Sequence, residues 1–131
     1  MSDDIVALVH EAFAALDEGG VEALVPYVHP DFEGIVPPEV SAEPDTYHGQ
    51  DGIRRYFTLW AEDIDDLKFE PKELIEADDA LVIVLRITGR GRGSGAPAEL
   101  IAPVRLTAVD GRLRTMEAYE TLEAALAASP R

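Results

Sequence analysis

The apolar residues of this chain change their period partway along it, and that change constrains the fold more than any other feature. Ile5, Leu8, Val9, Ala12, Phe13 and Leu16 recur every three or four positions, and so do Ile53, Tyr56, Phe57, Trp60 and Ile64. That spacing makes one apolar stripe on a helix. From Leu67 onward the apolar residues alternate instead, the period of a strand with one buried face. Helices first and a meander of strands afterwards predict an α+β fold, with the helices segregated to one face of a curved sheet.

The punctuation between these segments is read from turn chemistry. Gly19-Gly20 ends the first helix, and residues 21–28 predict a shorter helical piece, kinked because Pro26 fits only a first turn. Residues 32–36 read as a short strand. Residues 37–48, with three prolines, read as a loop of a length that suits function. A third helix begins near Gln50. Glu62, Asp63, Asp65 and Asp66 crowd its C-terminal end, where the helix dipole disfavours negative charge, and nothing in the sequence accounts for them. A phase slip between Pro71 and Leu74 predicts a bulge. Asp78-Asp79 is a turn signal, residues 80–88 and 98–109 are long strands, and residues 89–95 form a glycine-rich connection. Asp110-Gly111 is a strong hairpin turn before a last strand at 112–120. Residues 122–128 close the chain as a short helix.

Composition excludes whole classes of function. The 131 residues fit a single domain, 1–131. The absence of cysteine removes disulfide scaffolds, iron–sulfur clusters and thiolate zinc sites. A net charge of −15 repels nucleic acid and anionic membrane, so neither is expected as a partner. The acidic start is unlike a signal peptide, and the longest apolar run, residues 80–85, is far below the ~20 residues of a membrane span. A soluble, cytoplasmic protein is expected. The charge is also segregated: residues 62–79 hold nine acids and two lysines, whereas residues 86–114 hold six arginines and two acids.

The two central strands are apolar on both faces. Leu81, Ile83, Leu85 and Ile87 share one face with Leu100, Ala102, Val104, Leu106 and Ala108 of the next strand. The opposite face carries Val82, Val84, Arg86 and Thr88 beside Ile101, Pro103, Arg105, Thr107 and Val109. A solvated antiparallel face normally reads polar, and too few helices remain to cover this one. A homodimer through the outer face, with Arg86 and Arg105 inside or rimming it, is the economical expectation.

Several segments carry a family resemblance: His29-Pro30-Asp31-Phe32, Tyr47-His48-Gly49-Gln50-Asp51-Gly52-Ile53-Arg54-Arg55-Tyr56-Phe57, the run from Thr88 to Gly95, and Asp110-Gly111-Arg112-Leu113 ahead of Tyr119. In this order and spacing they resemble the SnoaL-like, polyketide cyclase-like branch of the nuclear transport factor 2-like superfamily, which also holds ketosteroid isomerase-like proteins. The resemblance implies a cone-shaped α+β barrel: N-terminal helices packed on a strongly curved, mixed, largely antiparallel sheet, with a pocket open at one end. It also implies that members dimerise through the outer sheet face. Relatives include cyclases, isomerases, dehydratases and epoxide hydrolases as well as non-catalytic modules, and a shared fold does not choose among them.

Enzymes of that superfamily use a pocket carboxylate, whose pKa rises in an apolar setting, with a nearby donor for a developing oxyanion. If Leu113 faces the core, Glu117 and Tyr119 follow it in phase and face the pocket. Glu117 would then be the base, or Asp31 in the His-Pro-Asp-Phe turn, with Tyr119, Tyr56 or His48 donating. Relatives often carry an acid immediately before the tyrosine, where this chain has Ala118. Phe13, Tyr56, Trp60, Ala102, Val104 and Leu106 are the expected ligand contacts, and their apolar character predicts a greasy, sparsely polar pocket. Ordinary structure competes with each role: a solvated strand for Glu117, a turn for Asp31, core packing for Tyr56 and Trp60. No cofactor is expected, and no metal, because His29, Asp31 and His48 match no ligand spacing. The glycine–arginine run joins two strands and lacks the helix and Lys-Ser/Thr of a phosphate loop. A small hydrophobic metabolite is therefore the expected ligand, with cofactor-independent proton transfer as the chemistry if there is turnover. The alternative is a non-catalytic ligand-binding or dimerisation module.

Overall fold

The computed structural model describes residues 2–36, 45–77 and 80–127. The first apolar stripe lies on helix α1 (Ser2–Gly19), whose Val9 and Ala12 are fully buried. Gly20 follows with φ 76°, a left-handed conformation that glycine adopts without strain. The second helical piece is divided as Pro26 requires, into α2 (Val21–Leu24) and a 3₁₀ turn (Val25–Tyr27) with the proline near its start.

Strand β1 (Val28–Val36) is longer than expected because the proline is absorbed in an irregularity. Its pairing with the last strand shifts between Val28 and Glu33, and the His29 Nδ1 accepts the Asp31 N–H at 2.9 Å. Residues 45–48, expected as loop, instead form strand β2 (Asp45–His48), antiparallel to β1. Residues 37–44 of that predicted loop, and the Asp78-Asp79 turn, lie outside the described residues. Helix α3 (Gly49–Asp63) carries the second stripe. It packs so closely on β2 that a Cβ on Gly52 would come within 2.8 Å of the Tyr47 carbonyl carbon.

Four strands and a helix complete the described residues: β3 (Ile64–Ala77), β4 (Ala80–Gly91), β5 (Pro97–Val109), β6 (Arg112–Ala118) and α4 (Leu122–Ala127). The open six-stranded sheet runs β2-β1-β6-β5-β4-β3, antiparallel except for the parallel β1–β6 pair. The predicted break in β3 appears as a register shift between Pro71 and Glu73. Asp110 and Gly111 both take positive φ, 54° and 74°, as a type I′ hairpin requires. Helices α1 and α3 pack on one sheet face, and Leu81, Ile83, Leu85, Ile87, Val104 and Leu106 meet them in the core.

The acidic end of α3 has a structural partner in the glycine–arginine hairpin. Arg92 donates its N–H to the Asp63 carbonyl at 2.8 Å and its guanidinium to the Ala61 carbonyl at 2.7 Å. The same guanidinium lies 3.1 Å from Asp65, and Arg90 lies 4.0 Å from Asp66. The hairpin thus supplies cations to the carbonyl end of a helix that has none of its own. Gly89 makes the approach possible, because a Cβ there would strike Ile64 and come within 2.8 Å of the Asp65 carbonyl oxygen.

Two readings from strand alternation change. Opposite Thr107 and Ala108, strand β6 holds one extra residue: Leu113 pairs with Ala108, whereas Thr115 pairs with Thr107. The insertion flips the phase, so Met116 and Ala118 follow Leu113 inward and Glu117 turns outward beside Arg105. The outer face is also partly covered within the chain. Helix α4 lies on β4 and β5, Arg105 is buried beneath it, and its guanidinium donates to the Ala125 carbonyl at 3.0 Å.

Candidate ligand-binding cavity

A cavity of about 460 Å³ opens between α3 and the inner sheet face, within the roughly 300–1,000 Å³ typical of small-molecule sites. Its position follows from the two periodicities. Tyr56, Trp60 and Asp63 stand three or four residues apart on α3 and so face the same way, while Ala102, Val104 and Leu106 line the floor from alternate positions of β5. Phe13 of α1 and Phe32 of β1 close the inner wall. Gln50 fixes the start of α3, donating to the Val28 carbonyl at 3.1 Å. Arg54 ties α3 to Glu22 at 2.8 Å.

The wall is an aromatic cluster. Tyr47, Tyr56, Phe57, Phe69 and Trp60 are linked by edge-to-face contacts with centroids 5.1–6.4 Å apart, the geometry that ring quadrupoles prefer. Arg55 lies 4.3 Å above the Tyr47 ring and pairs with Asp45 at 2.8 Å. That bond, with a further one from the Thr46 N–H, holds the Asp45 carboxyl below its usual range. Burial pushes the Tyr56 phenol above its ordinary pKa, and a hydrogen bond from Trp60 works in the opposite direction. Tyr56 is therefore a neutral phenol at physiological pH, able to donate or accept a hydrogen bond inside the cavity.

The six expected ligand contacts, Phe13, Tyr56, Trp60, Ala102, Val104 and Leu106, all line this cavity. The four candidate catalytic residues do not. Glu117 lies on the outer face because of the β6 bulge, and Tyr119 lies just past the end of β6 with its N–H on the Pro103 carbonyl at 2.9 Å. Asp31 is exposed within the β1 irregularity, and His48 is exposed at the end of β2. The expectation that Glu117 and Tyr119 face the pocket is thus corrected. Ala118, the position where relatives often carry an acid, does line the cavity. Among the described residues no group of three or more His, Asp or Glu is placed to hold a metal.

The sequence reading passed over Tyr47, Met116 and Asp63. Tyr47 was hidden because its strand reads as loop, and Met116 because the bulge moves it inward. Asp63 was readable in principle, lying three residues beyond Trp60 on the same stripe. It is exposed at the mouth of the cavity beside Leu59 and Leu100.

Helices on a curled, open mixed sheet with an apolar cavity between them define the cone fold of nuclear transport factor 2-like proteins. Within that fold, the chain belongs to the SnoaL-like domain family, which matches residues 9–116. Solved structures share the fold. A nuclear transport factor 2-like protein of unknown function from Burkholderia pseudomallei is 20% identical, covering 98% of this chain and 100% of that one, with a TM-score of 0.75. TerC, co-crystallised with polyporic acid, is 21% identical over 92% and 94% of the two chains, with a TM-score of 0.74. A protein assigned as a SnoaL-like polyketide cyclase, from a Jannaschia species, is 18% identical over 98% and 92%, with a TM-score of 0.67. Among curated proteins none matches the chain. No described helix is long and apolar enough to cross a membrane.

Proposed function

We propose that the protein binds a small, flat, largely apolar metabolite in this cavity. The observation that carries the reading is the lining: five linked aromatic rings adjoin the aliphatic floor of β5, and the polar groups reaching the cavity are few. The co-crystallisation of TerC with polyporic acid supports the use of this fold for small organic molecules. The proton-transfer chemistry expected from the family resemblance uses a positioned carboxylate within hydrogen-bond reach of its substrate. Among the described lining residues the one carboxylate is Asp63, which stands exposed at the mouth. Binding without turnover is therefore the function we favour.

Trp60 is the single tryptophan of the chain, so its fluorescence reports on the cavity alone. Titration with menadione, a neutral aromatic quinone, is expected to quench Trp60 along a saturable curve. Ala118→Phe, which places a ring in the cavity, is expected to abolish the saturable part. Linear quenching that is the same in both proteins would overturn the reading.

A second copy docking on the outer sheet face belongs to the same proposal. Ile101 is 52% exposed there, next to Val84 and Arg86. Arg86 is already paired within the chain to Glu70 and Glu99, so it would rim such an interface as a neutralised group. Light scattering at micromolar concentration is expected to give twice the mass of the chain, and a monomeric mass would end the dimer.

A further inference from the structure

We propose that the cavity selects ligands whose apolar body ends in a protonated amine, held at the mouth by Asp63 beside Trp60. This rests on the reading that the cavity binds a small apolar molecule, and names the charge that molecule carries. Asp63 is the one charged side chain among the described residues that line the cavity. It occupies the last turn of α3, one turn beyond Trp60, so a ligand seated against the indole reaches the carboxylate with its outer end.

The nearby cations do not neutralise it. Among the described residues the Asp63 carboxylate forms no ion pair. Arg92 spends its guanidinium on Asp65 and the Ala61 carbonyl, and Arg90 faces Asp66. Glu62 adds a further negative charge at the same helix end, so the acids there outnumber the two hairpin arginines. The field at the mouth therefore attracts a cation and repels an anion. Trp60, one turn from Asp63 on α3, lines the cavity and supplies the aromatic surface that a desolvating ammonium prefers over apolar surface alone. An apolar pocket discriminates poorly between isosteres by packing, so this charge is what gives it selectivity.

Three probes that share a naphthylmethyl body test the idea by calorimetry on the full chain: naphthylmethylamine, its isostere naphthylmethanol, and the naphthylacetic acid anion. The amine is expected to bind about five- to tenfold tighter than the alcohol, the scale of an exposed ion pair joined to a cation–π contact. The carboxylate is expected to bind more weakly than the alcohol. In Asp63→Asn the amine-to-alcohol ratio is expected to fall to about twofold or less, whereas Glu62→Gln, which removes the same charge without lining the cavity, retains most of it. Equal binding of amine and alcohol, or a ratio that survives Asp63→Asn, would overturn the amine selection while leaving the cavity reading intact. Failure of all three probes to bind would overturn the cavity reading and this inference with it.

Discussion

Replacing Phe32 with alanine is expected to lower the unfolding free energy by about 3–5 kcal/mol, the usual cost of truncating a buried phenylalanine. Phe32 is 2% exposed, and its ring lies over Gly34, where a Cβ would approach it to 3.1 Å. The ring belongs to the core that joins α1 and β1 to the central strands and also closes one wall of the cavity. The space left by truncation would merge with the cavity, so neighbouring side chains cannot collapse to fill it and the cost stays near the full value. Urea unfolding measures this directly. Asp31→Ala, one residue away but exposed, is expected to change stability by no more than about 0.5 kcal/mol. A loss below about 1 kcal/mol for Phe32→Ala would contradict the inward placement of its ring.

That placement marks where reading the sequence succeeds and where it fails. The helical stripes of α1 and α3 and the alternation of β4 and β5 are long and uninterrupted, so their buried faces were legible residue by residue, and with them most of the cavity lining. Bulges are another matter. The extra residue in β6 carries no distinctive composition, since Arg112-Leu113-Arg114-Thr115 alternates as any strand would, yet it reverses every later side chain. Glu117 therefore looked like a pocket acid and lies outside. Strand β2 was illegible for a different reason: four residues next to a proline-rich stretch have too short a pattern to declare a period, and their pairing is set by β1. The acid run at the end of α3 made no local sense because its partners, Arg90 and Arg92, are about 25 positions away in the chain and reach it only through the β3–β4 pairing.

The same limit governed the outer sheet face, and Arg105 supplies the second test. In sequence it reads as an arginine stranded among apolar residues, awaiting a partner chain. In the fold it is 7% exposed under α4, and its guanidinium donates to the Ala125 carbonyl. That carbonyl sits in the last turn of a six-residue helix, which is too short to persist without tertiary support. Truncating the arginine removes a charge-assisted bond, leaves a helix-end carbonyl short of a donor, and strips away the aliphatic stem that packs between α4 and the sheet. Arg105→Ala is therefore expected to cost about 2–3 kcal/mol. Its signature separates it from Phe32→Ala: the amide of Ala125, bonded to the Thr121 carbonyl at 3.2 Å, should lose hydrogen-exchange protection well before the central strands do. Binding of menadione to the cavity should be preserved in Arg105→Ala, because Arg105 and the cavity lie on opposite faces of β5. If α4 keeps its protection after the substitution, the helix is held by its apolar contacts alone and the arginine does not anchor it.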